Sequence, residues 1–500
     1  MDTPQPSDAS GAARARPQAR DRASDLYRAV WRWHFYAGLL VLPFLAWLAV
    51  TGGLYVFKNQ IDGFFHDRLL HVAQPQTPRA AHSHQEIAAA ALAAQPGKLL
   101  KYLPAPGPTR TAEALIATVD GQRLSVFVDP YRAEVVGTLP EGGSVAWTIR
   151  KLHSLKYFGS VARGAIEIAA GWSILLVATG VYLWWPRGRS GGVVSVRGTP
   201  SKRVFWRDLH AVTGWVVGGV LLFLALTGMP WSVLWGAKAN QWANGHNYGY
   251  PAGLRVQVPM SGLRLSEDGH TAWSLQQAQL PQSGHEGHEG HEGHEGHEEH
   301  AGHDAMPDQT PSSSHSASPS QPASPSQPAS LSLDQAVAAV ERLGIAAGYA
   351  IQLPKGPQGV YTASVYPEDL SHQRVIHLDQ YSGKALLDMS YADYGPLGKT
   401  LEWGINVHLG QEYGVVNQIV LVVACLGIAL LCVTAAVMWW KRRPARLLGV
   451  PPMPANRRVL QGVSAILLLG AILFPLVAVS LLVMALLDRL AFPPHSTAAH

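Results

Sequence analysis

Apolar residues gather into five long blocks separated by polar stretches, instead of recurring at amphipathic spacing. The blocks run roughly His34–Phe57, Val161–Trp185, His210–Trp235, Val415–Trp440 and Val459–Leu487. Each is long enough for the about 20 helical residues that cross roughly 30 Å of hydrocarbon, and Trp at several block ends suits the bilayer–water boundary. After the first and third blocks the pattern changes. Ser83 with Glu86, and Ser332 with Gln335, read as capping boxes that open helices. Alternating strand-like runs follow, ending in similar hairpins, VFVDPYRAEVVG from Val126 and VIHLDQYSGKAL from Val375. The pattern therefore predicts an α-helical integral membrane protein with five spans and two small α+β domains outside the bilayer.

Charge adds an orientation. Arg14, Arg16, Arg20, Arg22, Arg28 and Arg32 precede the first block; Arg187, Arg189, Arg197, Lys202, Arg203 and Arg207 separate the second from the third; Lys441, Arg442, Arg443, Arg446, Arg457 and Arg458 separate the fourth from the fifth. Basic segments stay cytoplasmic, so the N-terminal segment 1–33 and the loops 186–209 and 441–458 are expected inside. Segments 58–152 and 236–407 and the tail 488–500 are then expected in the periplasm of a bacterial inner membrane. Span one is too long for a signal-peptide core and lacks a small-residue cleavage site, so it reads as retained. Charged residues are only 15% of the 500, which fits a lipid-embedded chain, and no nucleic-acid partner is expected. Both cysteines, Cys425 and Cys432, fall inside span four as ordinary small hydrophobes. No C-x-x-C-H motif is present, so any haem would be held without thioether links.

An internal repeat organises the blocks. HFYAGLLVLPFLAWLAVTGGLY from His34 aligns without gaps to HAVTGWVVGGVLLFLALTGMPW from His210, each with Gly four residues on and Thr-Gly seventeen on. HSLKYFG from His153 matches HLGQEYG from His408, with Trp-Trp following at thirty-one. Spans one and two thus form a unit that spans three and four copy, with span five unpaired. The hydrophobic-Asp-x-Tyr hairpin resembles the PepSY domain. Two such domains between His-headed spans resemble the PepSY-associated transmembrane family, over about His34 to Arg443. That family includes inner-membrane ferric-siderophore reductases. The first hairpin departs from the pattern, with Arg132-Ala133 where the second copy has Ser382-Gly383.

The expected architecture is a four-helix transmembrane bundle from two duplicated units plus a fifth span, carrying two periplasmic PepSY-like domains. If the units pack about a pseudo-two-fold axis, His34 faces His210 and His153 faces His408. Imidazoles facing across a bundle can grip a b-type haem iron from both sides, which predicts two non-covalent, bis-histidine haem b groups that carry electrons. Arg32, Arg207, Arg150 and Lys151 lie where haem carboxylates would need cations. Thirty-one unbroken helical residues from His153 to Trp184 would measure about 46 Å, so a bend is expected near Gly159 and Gly414.

No Gly-rich nucleotide fingerprint is present, so the electron donor is expected to be a separate cytoplasmic flavoprotein or a membrane quinol. The resemblance implies a periplasmic ferric acceptor, a ferric-siderophore, and thus a membrane ferric reductase. The alternative is a haem-free PepSY regulatory or metal-sensing membrane protein, in which the histidines are structural.

A tract spanning 284–303 carries His285, His288, His291, His294, His297, His300 and His303 at every third position. With its Ser/Pro/Gln flank it reads as an irregular insert, 282–330, and a weak multi-ion trap. Glu167 sits four residues after Arg163 and reads as its helical ion-pair partner. His66, His71, His82 and His84 crowd the entry to the first outer domain as a weaker metal candidate.

Overall fold

A computed structural model describes residues 15–74, 80–187, 191–251, 258–268, 271–284, 329–444, 448–451 and 456–491. The histidine tract from His285 to His303 lies outside the described residues, as do 492–500 of the C-terminal tail.

Four helices are long and apolar enough to cross a membrane: α1 (Ala15–Tyr55), α5 (Gly159–Trp184), α6 (Arg203–Gly228) and α10 (Gly414–Arg442). They close a ring in which α1 packs on α5 and α10, and α6 packs on the same two. Hence α1 lies diagonally opposite α6. The shorter helices at the ring's ends are α2 (Lys58–Leu70), α3 (His84–Ala94), α4 (Val145–His153), α7 (Trp235–Gly245), α8 (Leu333–Arg342) and α9 (Pro396–His408).

The expected bend is present in both halves. Helix α4 stops at His153, left-handed backbone follows at Leu155 and Gly159, and only then does α5 begin. Helix α9 likewise stops at His408, with left-handed Gly410 before α10, which opens on the left-handed Gly414.

The fifth block departs from expectation. It is two helices, α11 (Arg457–Leu473) and α12 (Pro475–Ala491), neither of them long enough to span. Pro475 has no N–H for the ladder and pushes the preceding residue out of helical geometry; Phe474 sits at φ −128°, ψ 87°. The pair packs on α1 and α5, where Val477 and Phe474 lie against Gly171, and Trp172 Nε1 donates to Ser480 Oγ at 2.8 Å.

Outside the bundle stand β1 (Gly97–Leu103), β2 (Ala112–Thr118), β3 (Arg123–Asp129) and β4 (Glu134–Pro140). A small ladder follows, β5 (Met260–Arg264) with β6 (Gln279–Pro281), and then β7 (Ala350–Gln352), β8 (Val360–Val365), β9 (Arg374–Asp379) and β10 (Ala385–Ser390). Eight of these strands form one sheet in the order β10-β9-β8-β7-β1-β2-β3-β4. The two halves meet where β1 pairs antiparallel with β7, through Lys101↔Gln352 and Tyr102↔Ile351. Helices α3 and α8 cover one face over a common core that includes Ile87, Ile116, Val337 and Ile376. Both capping boxes form as the sequence predicts, and Gln85 bridges the helices through Asp334 and the Leu333 N–H.

The hairpin motif has a structural explanation. Asp129 accepts the Tyr131 N–H, and Asp379 accepts those of Tyr381 and Ser382, fixing each turn. The tyrosine hydroxyls then donate to Pro108 O and Pro357 O. Ala133 occupies the left-handed position that Gly383 fills in the second hairpin.

Candidate functional site

Four imidazoles are held in the same way. His34 Nδ1 lies 2.8 Å from Thr179 Oγ1, His210 Nδ1 2.9 Å from Thr434, His153 Nδ1 2.9 Å from Thr51, and His408 Nδ1 2.8 Å from Thr227. Each threonine already donates its only proton to a carbonyl one turn back: Thr51 to Trp47, Thr179 to Leu175, Thr227 to Phe223 and Thr434 to Leu431. A threonine that donates to its carbonyl accepts from the imidazole, the arrangement in which Nδ1 carries the proton. That tautomer leaves all four Nε2 atoms as bare lone pairs, the form in which neutral imidazole binds a metal.

The ring arrangement decides which lone pairs meet. His34 on α1 and His210 on α6, on opposite helices, line one cavity of about 810 Å³ at the basic end of the bundle. Small residues thin its walls. Gly38, Gly214 and Gly218 line it, and a Cβ at Gly180 would stand 3.5 Å from His34 Cε1. At the sheet end, His153 and His408 close α4 and α9 beside α1 and α6 and lie near enough to act electrostatically on each other. Burial pushes His153 down to about 4. Burial, helped by the neighbouring imidazole, pushes His408 down to about 3. Both are neutral at physiological pH. A Cβ at Gly52 would stand 3.2 Å from His153 Cε1, close enough that the ring would have to shift to admit it.

Between the two pairs the ring is filled by Ala49, Val217, Leu221 and Ile428, with Leu45 and Leu224 against them. From His34 to the Thr51 that holds His153 is seventeen residues of helix, about 25 Å, and one aliphatic layer separates the sites.

A family match accompanies this geometry. The model for the PepSY-associated TM region matches residues 31–442, most of the chain. The chain belongs to the PepSY-associated transmembrane family. No curated protein matches it. The family's matched region ends where α10 does, so α11 and α12 lie outside it.

The cation assignments shift. Arg32 does not line the cavity; it donates to Pro451 O and to Tyr36 Oη. Its long side chain turns away from the neighbouring His34, which sequence adjacency does not reveal. Arg207 lines the cavity, but it is paired with the fully buried Asp208, which Arg197 also holds. Arg150 and Lys151 stack on Trp147, and Lys151 also on Tyr157. The cavity brings in Arg28, Arg187, Arg203 and Arg442 as well, none of them singled out by spacing.

Other candidates resolve differently. Glu167 does not pair with Arg163; buried, it accepts the Leu234 and Trp235 N–H groups at the start of α7. His71 bonds Asp67 and Arg110, His82 bonds Glu86 and His84 bonds Tyr102. No group of three or more metal-ligating side chains forms among the described residues. Thr179 and Thr434 were legible, each twenty-six residues after its unit's outer histidine, but mid-helix threonine is too common to stand out without its partner.

Proposed function

We propose that this membrane protein holds two haem b groups, one between His34 and His210 and one between His153 and His408, and passes electrons across the bilayer to a periplasmic ferric acceptor. The observation that carries the reading is the fourfold His–Thr contact, on imidazoles that fall into two pairs: His34 with His210 at one cavity, and His153 near His408. An interfacial histidine has no need of a fixed tautomer; a ligand does. Glycine-thinned walls and the cavity's size also suit a flat macrocycle.

Haem held by these histidines would supply a one-electron carrier. The chain's own residues do the rest. The threonines orient the rings, and an aliphatic layer around Leu221 and Ile428 lies between the sites. The arginine-rich end is the cytoplasmic entry in this reading, served by a flavoprotein or quinol. The sheet end faces the acceptor, a ferric-siderophore as in reductases of this family.

The test is the dithionite-reduced minus oxidised spectrum of the purified protein, with haem counted per chain. Sharp six-coordinate b-type bands at about two haems per chain are expected. A haem-free protein after haem-supplemented expression would overturn the reading and leave the haem-free regulatory alternative in front.

A further inference from the structure

The cavity between His34 and His210 is lined by five arginines and by no acidic residue. Three of the five are accounted for. Arg28 sits 3.6 Å from Asp25, Arg207 is paired with Asp208, and Arg187 stacks on Tyr182 at 4.3 Å and donates to its carbonyl. The remaining two are not. Arg203 has neither a hydrogen-bond nor an ion-pair partner among the described residues. Arg442 is sandwiched against Trp31 and Phe35, 4.8 Å from each ring, and its Nη2 is buried without a hydrogen-bond partner among the described residues. The two guanidinium groups act on each other as like charges.

Arg203 is solvent-exposed, whereas the buried Nη2 of Arg442 is a donor that costs free energy unless an acceptor meets it. A guanidinium fixed on aromatic faces with donors left over is pre-organised for a planar oxyanion. Arg203 enters the cavity two turns before His210 on α6, and Arg442 reaches it from the end of α10 across the aromatic residues flanking His34.

We infer that Arg203 and Arg442 together form a carboxylate site for the group held by His34 and His210, in place of the Arg32 and Arg207 suggested by adjacency. This rests on the haem reading above. The carboxylates it recognises are those of haem itself, which the dimethyl ester of haem lacks.

The test uses the full chain with His153→Ala and His408→Ala, so that only the inner pair remains, titrated with haem b and with its dimethyl ester. Haem b is expected to bind about tenfold or more tightly than the ester. With R203Q and R442Q added, the two should bind equally while the six-coordinate spectrum persists; Arg442→Lys should recover part of the preference. In the otherwise unaltered chain, removing these two positive charges should lower the inner haem's midpoint potential and leave the outer one in place. That second readout holds even if the four-site variant fails to fold. Equal binding of haem and ester by the parent, or a preference that survives R203Q/R442Q, would overturn the inference and leave the haem reading intact. A parent that binds neither would sink both.

Discussion

At the scale of single residues, the threonines matter as much as the histidines. Each Thr-to-Val change at positions 51, 179, 227 or 434 removes the acceptor for an Nδ1–H and frees its ring to rotate. The expected result is a loss of about 10–100-fold in haem affinity at that site alone, read by titration. The haem that remains should have a raised midpoint potential, because an imidazole that no longer donates from Nδ1 is a poorer electron donor to iron. Gly52→Val, which drives a methyl into His153, should remove the outer haem and spare the inner one. The histidines were legible in the sequence because the repeat places the same residue four times. The cations were not, because a side chain as long as that of Arg32 or Arg442 selects among many partners that only the folded ring supplies.

At the scale of elements, buried carboxylates hold the outer helices in place. Glu402 on α9 accepts the Ser274 N–H at 2.8 Å from a place where burial pushes its carboxyl up to about 7. A group that binds its proton more tightly folded than unfolded contributes stability that is complete below pH about 4.5 and is lost as pH rises through 7. Glu402→Gln should therefore flatten the melting temperature across pH 5.5–8, and the wild-type-minus-variant difference should fall over that window. In the first hairpin, Ala133 adopts φ 54° where the second has glycine. Ala133→Gly should stabilise that half by about 1 kcal/mol, measured by chemical denaturation. Gly171→Leu should displace α12 from α5, costing about 1–3 kcal/mol, and expose the C-terminal helices to protease. Helix existence and capping were read correctly because they follow local pattern. The fifth block reads as one helix by hydropathy and folds as two, because apolar length passes over the single Pro475 that divides it.

At the scale of the whole molecule, the four-helix ring sets which histidines can share a ligand. Changing His34 or His210 to Ala should each remove the same haem, and changing His153 or His408 the other. Loss in the crossed pattern, seen in the potentiometric titration of each variant, would contradict the diagonal placement of α1 opposite α6. The sequence pointed to two outer α+β domains but gave no sign that they share one sheet. Strand pairing between distant segments depends on which edges the bundle brings together, and β7 is only three residues long. That short seam, Lys101↔Gln352 and Tyr102↔Ile351, works as a tie-beam laid across the mouth of the ring. The chain leaves each half of the sheet through α4 or α9, so the span between His153 and His408 is gauged by backbone hydrogen bonds standing in water. The gap at that end is thereby set by the register of the sheet, whereas among the described residues the opposite end is joined by side-chain contacts such as Lys441 Nζ to Ser201 O and Arg32 to Pro451 O.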